Sequence, residues 1–146
     1  MGLLNIAECK LLKFRGLTLK DKLSFLSFSV YFVIFLFCFK ILGYKKTRVI
    51  IDKISCKKSR SNSFNQGFIE SKSKIIGHVT ANSPFNSTCL ERSLFTYLIF
   101  RINGLETELK FGVNNLTEEF SAHSWVEYKG IILNDNPELI ENISPF

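Results

Sequence analysis

Residues 88–104 read TCLERSLFTYLIFRING, and this stretch decides the fold. Thr88 and Glu91 stand at the spacing of a capping box, in which a threonine hydroxyl and a glutamate carboxylate satisfy the first amides of a helix reciprocally. Leu90, Leu94, Tyr97, Leu98 and Ile102 recur on one face, and Gly104 supplies a stop. Phe95, Ile99 and Phe100 extend the apolar surface nearly all round, so the helix is expected in the interior with its N-terminal end alone reaching a cleft. Cys89 falls in that first turn. The unpaired amides and the positive end of the helix dipole favour a thiolate there, which separates this thiol from an ordinary buried cysteine.

Downstream, Leu105, Thr107, Leu109, Phe111 and Val113 alternate with Glu106, Glu108 and Lys110, the pattern of a half-buried strand. A turn is expected over Asn114 to Glu119. The run FSAHSWVEY then alternates again, with Ala122, Ser124, Val126 and Tyr128 on one face and His123, Trp125 and Glu127 on the other. Lys129-Gly130 leads into IILND. A three-residue loop with Gly130 left-handed pairs Glu127 with Ile131 and sets His123 opposite Asp135, where Cβ atoms about 5 Å apart permit a carboxylate–imidazole bond. A two-residue loop sets Asp135 opposite Ser124 instead. The chain has two histidines and three aspartates, and one of each falls at this point. A helix-start cysteine, a strand histidine and a carboxylate are the three roles of a thiol nucleophile, its base and the group that orients the base. The plainer alternatives are a hydrogen-bonded core histidine and an aspartate capping the turn before Pro137.

Upstream, Ile75, Ile76 and Val79 form an apolar face, whereas residues 57–74 are rich in Ser, Lys and Asn and read as a polar linker or loop. Residues 1–56 form a basic, apolar, helical N-terminal region, within which residues 1–20 read as a surface or interfacial helix. Leu23 to Phe39 is a run of seventeen residues without a charge, at the lower limit for a membrane span. Its length and basic flanks favour a buried or membrane-surface helix over a span. Residues 1–60 carry 13 Lys and Arg against 3 acids, and residues 61–146 carry 6 against 10. These charges border an apolar run without an arginine-rich, aromatic-interleaved motif, which argues for lipid or an acidic chain as partner and against nucleic acid. Four scattered cysteines, Cys9, Cys38, Cys56 and Cys89, suit a reduced cytoplasmic compartment. A zinc site from Cys56, His78, Cys89 and His123 lacks the short paired spacings of structural zinc, so no metal or cofactor is expected.

These features specify an α+β fold in which a core of residues 75–146 packs a buried helix on a small antiparallel sheet. The strings TCLERSL, LKFGV and AHSWVEYKG with the later LND resemble the transglutaminase-like cysteine peptidases that remove leader peptides during lasso-peptide biosynthesis, most strongly over residues 87–135. Two departures from that pattern are Phe100 to Asn103, where an arginine-rich helix end is usual, and Ser124, where alanine is usual. The resemblance implies a papain- or transglutaminase-like core, with Cys89 as nucleophile, His123 as base and Asp135 as orienting acid. It further implies a ribosomally made precursor as substrate, a separate leader-recognition protein as delivery partner and a separate ATP-dependent synthetase that closes the lactam. Acyl transfer to an amine and a non-catalytic, membrane-associated scaffold are the alternative functions.

Overall fold

The computed structural model describes residues 19–56, 65–83, 85–114, 121–141 and 143–145. The fold is α+β: helices α1 (Leu19–Cys56), α2 (Gln66–Ala81) and α3 (Cys89–Ile102) precede strands β1 (Glu108–Asn114), β2 (Ser121–Tyr128) and β3 (Ile131–Ile132), the one-turn α4 (Pro137–Ile140) and β4 (Ile143–Pro145). The sheet is antiparallel in the order β3-β2-β1-β4.

Helix α3 occupies the middle, as its all-round apolar surface requires: Leu94, Phe95, Tyr97, Ile99 and Phe100 are all buried. One side of it meets β2. The other meets α1, where the Phe32 and Phe35 rings lie 4.9 and 5.5 Å from that of Phe95 in tilted contacts. Each fully buried phenylalanine contributes roughly 1.5–3 kcal/mol. A polar clasp reinforces the seam: Tyr97 Oη donates to Asp52 Oδ1 at 2.7 Å, and Arg48 Nε donates to Asp52 Oδ2 at 3.1 Å.

The uncharged run and the Val49–Ile54 pattern that follows it belong to this one long element, broken at Gly43 (φ 71°, ψ 172°), where the second half changes direction. Lys22 to Ser55 is long and apolar enough to cross a bilayer by length and composition. Its faces differ, however: Phe32, Phe35 and Leu36 are buried against the domain, while Leu23, Leu26, Val30 and Phe37 are exposed.

One expectation is corrected. Residues 66–74, read as part of a polar linker or loop over 57–74, are the first turns of α2. Asn65 caps this helix through Oδ1 to the Gly67 amide, and Ile69, Ile75, Ile76 and Val79 bury one stripe, so a helix with a single narrow apolar stripe passes for polar sequence. Residues 57–64, the part before Leu19 of the helix expected over residues 1–20, and the turn expected over Asn114 to Glu119, past its first residue, lie outside the described residues.

The β2–β3 loop takes the second of the two forms left open by the sequence. Tyr128 pairs with Ile131 and Glu127 with Ile132, so the loop has two residues, Lys129 (φ 49°) and Gly130 (φ 79°). Positive φ at both central positions defines a type I′ turn, whose twist matches the flanking strands and outweighs the cost of a left-handed lysine. On the far side of the sheet, β1 and β4 approach so closely at Gly112 that a Cβ there would lie 2.4 Å from Ile143 Cγ2 and 2.7 Å from the Ser144 carbonyl oxygen. No side chain larger than hydrogen fits.

Candidate active site

The start of α3 is fixed from both sides. Thr88 Oγ1 accepts from the Glu91 amide at 3.3 Å, and Glu91 Oε2 accepts from the Thr88 amide at 2.7 Å, completing the capping box. The Arg92 amide reaches the Thr88 carbonyl, which leaves the Cys89 and Leu90 amides ahead of the helix's own ladder. The preceding segment is anchored as well: the Arg92 guanidinium donates to the Ser87 hydroxyl at 3.1 Å and to the Ser87 carbonyl at 3.0 Å. Cys89 therefore presents a half-buried thiol beside two amides that have no partner among the described residues. Its S–H points at the Ala122 carbonyl oxygen, 4.0 Å away.

Ala122 immediately precedes His123 on β2. His123 Nε2 lies 2.5 Å from Asp135 Oδ2, and Asp135 Oδ1 accepts from the Asn136 amide at 2.9 Å, so both carboxylate oxygens are engaged. A carboxylate at that distance selects the tautomer protonated on Nε2 and leaves Nδ1 with its lone pair. The structure thus brings His123 and Asp135 together and sets Cys89 one residue along the strand. Among the described residues the thiol makes no hydrogen bond to the imidazole.

The histidine–aspartate contact does not arise from the three-residue loop. With the two-residue loop, continued pairing carries Asp135 to a position opposite Ser124. The ladder stops first. The Leu133 amide still donates to the Val126 carbonyl at 2.9 Å, but the Val126 amide donates to Asn134 Oδ1 at 2.8 Å, a side chain standing in for the next strand carbonyl. Asn134 Nδ2 donates in turn to Ser93 Oγ at 2.8 Å, and Ser93 Oγ donates to the Ser124 carbonyl at 2.7 Å. The chain bends over Leu133–Asp135, and Asp135 reaches His123 from the bend.

Asn134 and Ser93 are residues that the sequence reading passed over. The signals were present: Asn134-Asp135-Asn136-Pro137 concentrates turn-forming side chains, and Ser93 is a small hydroxyl inside a helix otherwise apolar on that side. Trp125 and Glu127, read without a role, also lie at the site. The Trp125 ring is stacked 6.5 Å from that of His123 at 18°, and its Nε1–H donates to Glu127 Oε1 at 2.7 Å. Trp125 is buried, so this bond satisfies the one polar group of an otherwise apolar wall behind the imidazole.

A thiol at a helix start, the two helix-start amides beside it and an imidazole held by a carboxylate are the components of nucleophilic attack on an acyl group. No curated protein and no solved structure matches the chain. Residues 47–146 match the transglutaminase-like superfamily, a span that contains Cys89, His123 and Asp135 together with the second half of α1. On that match, which covers more than half its length, the chain belongs to the transglutaminase-like superfamily.

Proposed function

We propose that this protein is a cysteine peptidase that removes the leader from a ribosomally synthesised lasso-peptide precursor, freeing the α-amine of the core for macrolactam closure by a separate ATP-dependent synthetase. The observation that carries the reading is the His123–Asp135 pair, 2.5 Å apart, on the strand whose preceding carbonyl faces the helix-start thiol of Cys89. The choice of leader cleavage within a superfamily of peptidases and acyltransferases is supported by the sequence strings of residues 87–135.

In the proposed reaction His123 Nδ1 takes the Cys89 thiol proton. The thiolate adds to the scissile carbonyl, and the Cys89 and Leu90 amides stabilise the oxyanion. The imidazolium, held by Asp135, gives its proton to the departing core amine as the C–N bond breaks. Water, deprotonated by the same imidazole, then attacks the thioester; its collapse releases the leader acid and restores the thiol. Catalytic hydrogen bonds commonly tighten only when substrate binds, which accommodates a thiol resting on the Ala122 carbonyl before substrate arrives. The enzyme acts in the cytoplasm, and a separate recognition protein delivers the leader.

Mass spectrometry of a precursor incubated with the protein and its leader-binding partner tests the reading. Leader and core masses summing to the precursor plus one water are expected with wild type and are expected to vanish with Cys89→Ala. Cleavage that survives the substitution refutes it, and a product joined to an amine identifies an acyltransferase instead.

A further inference from the structure

Helix α1 has two apolar faces and the domain uses one. Phe32, Phe35 and Leu36 pack inward, while Leu23, Leu26, Val30, Val33, Phe37 and Ile41 project outward, each between 40% and 69% exposed. Their spacings of three, four, three, four and four residues draw a single stripe, about 27 Å long at the rise of an α-helix. No charge interrupts it from Leu23 to Phe39. Lys22 and Lys40 are eighteen residues apart, five full turns, so both stand on the same edge of the stripe. Beyond the break at Gly43 the apolar surface continues as an open depression of about 360 Å³, walled by Leu42, Val49 and Ile50 and flanked by Lys45 and Lys46.

From this surface we infer that the first half of α1, Leu19 to Leu42, lies along an anionic membrane, parallel to its plane, with the outward stripe in the acyl boundary and Lys40, joined by Lys45 and Lys46 just past the break, on the lipid phosphates. Two observations select this occupant. Residues 19–56 carry seven Lys and Arg against two Asp, and one of those, Asp52, is already paired with Arg48. A basic, apolar-faced helix of this kind is the form of an interfacial anchor. The hydroxyls of Ser27 and Ser29 donate to the carbonyls of Leu23 and Phe25, four residues back, so they need no water.

A crossing helix is disfavoured because Phe32 and Phe35 are fastened to Phe95 in the middle of the run. A second copy is disfavoured by charge. Antiparallel pairing about Tyr31 sets Lys22 beside the partner's Lys40, parallel pairing sets each lysine beside its own copy, and the stripe itself carries no acid to offset them.

The test is flotation of the full-length protein with phosphatidylcholine vesicles, with and without equimolar phosphatidylglycerol. Binding at least tenfold tighter to the anionic vesicles and weakened by salt is expected. Neutralising Lys40, Lys45 and Lys46 to Gln should weaken it about a hundredfold, roughly fivefold per charge removed. Phe37→Glu should abolish it with helical circular dichroism unchanged, while cleavage of a soluble precursor persists, so this inference and the peptidase reading fail separately. Equal binding to neutral vesicles, no binding to either, retention after alkaline carbonate extraction, or a solution dimer dissociated by Phe37→Glu would each overturn it.

Discussion

Both oxygens of Asp135 are engaged, by the His123 ring and by the Asn136 amide, so the carboxylate holds one orientation and one tautomer of the imidazole. Asp135→Asn keeps the shape but removes the charge that stabilises an imidazolium. Its expected effect is a fall of about 10²–10⁴-fold in kcat for leader release, with melting temperature little changed, as steady-state kinetics and calorimetry would measure. Asn134 is a different case, because it shapes the backbone. Asn134→Ala deprives the buried Val126 amide of its acceptor and Ser93 of a donor, and urea unfolding should show a loss of roughly 1–3 kcal/mol. At this scale the helix start was legible, since Thr88 and Glu91 act across three residues and need nothing distant. The proximity of His123 to Asp135 was reached through a register the chain does not adopt. Its actual cause, a side chain that ends a ladder and bonds to a helix forty-one residues earlier, leaves no periodic trace in sequence.

The β2–β3 hairpin turns on a lysine in the left-handed region. Asparagine adopts that conformation more readily, so Lys129→Asn should raise stability by about 0.5–1 kcal/mol in chemical denaturation, offset in part by losing the Lys129 ammonium 5.4 Å from the Tyr128 ring centre. Between α1 and α3, burial and the hydrogen bond to Asp52 push the Tyr97 phenol above its ordinary value near 10. A folded value above the unfolded one means stability that is whole below about pH 10 and drains away as pH rises through the folded value. Melting temperatures taken across that range should fall more steeply for wild type than for Tyr97→Phe. Among the elements, α3 and β2 declare themselves by period, because each buries enough apolar residues to impose one. Helix α2 does not: its one stripe of buried isoleucine and valine is diluted by the lysines and serines of its solvent side.

The acidic C-terminal half carries Cys89, His123 and Asp135, and the basic N-terminal half supplies the long helix that closes the core on the other side of α3. The α+β class was legible from the order of patterns along the chain. How α1 divides its two apolar faces was not, because a uniformly apolar run does not say which side meets protein. Superfamily similarity begins at residue 47, yet Phe32 and Phe35, which cover Phe95, come from before it. A chain truncated to residues 47–146 should therefore melt without a cooperative transition and bind a hydrophobic dye, whereas the full chain unfolds as one. The region that matches the superfamily is thus smaller than the unit that folds: the half that holds Cys89, His123 and Asp135 borrows part of its interior from a segment outside the matched span, and any replacement of that segment would have to keep two phenylalanines before anything else.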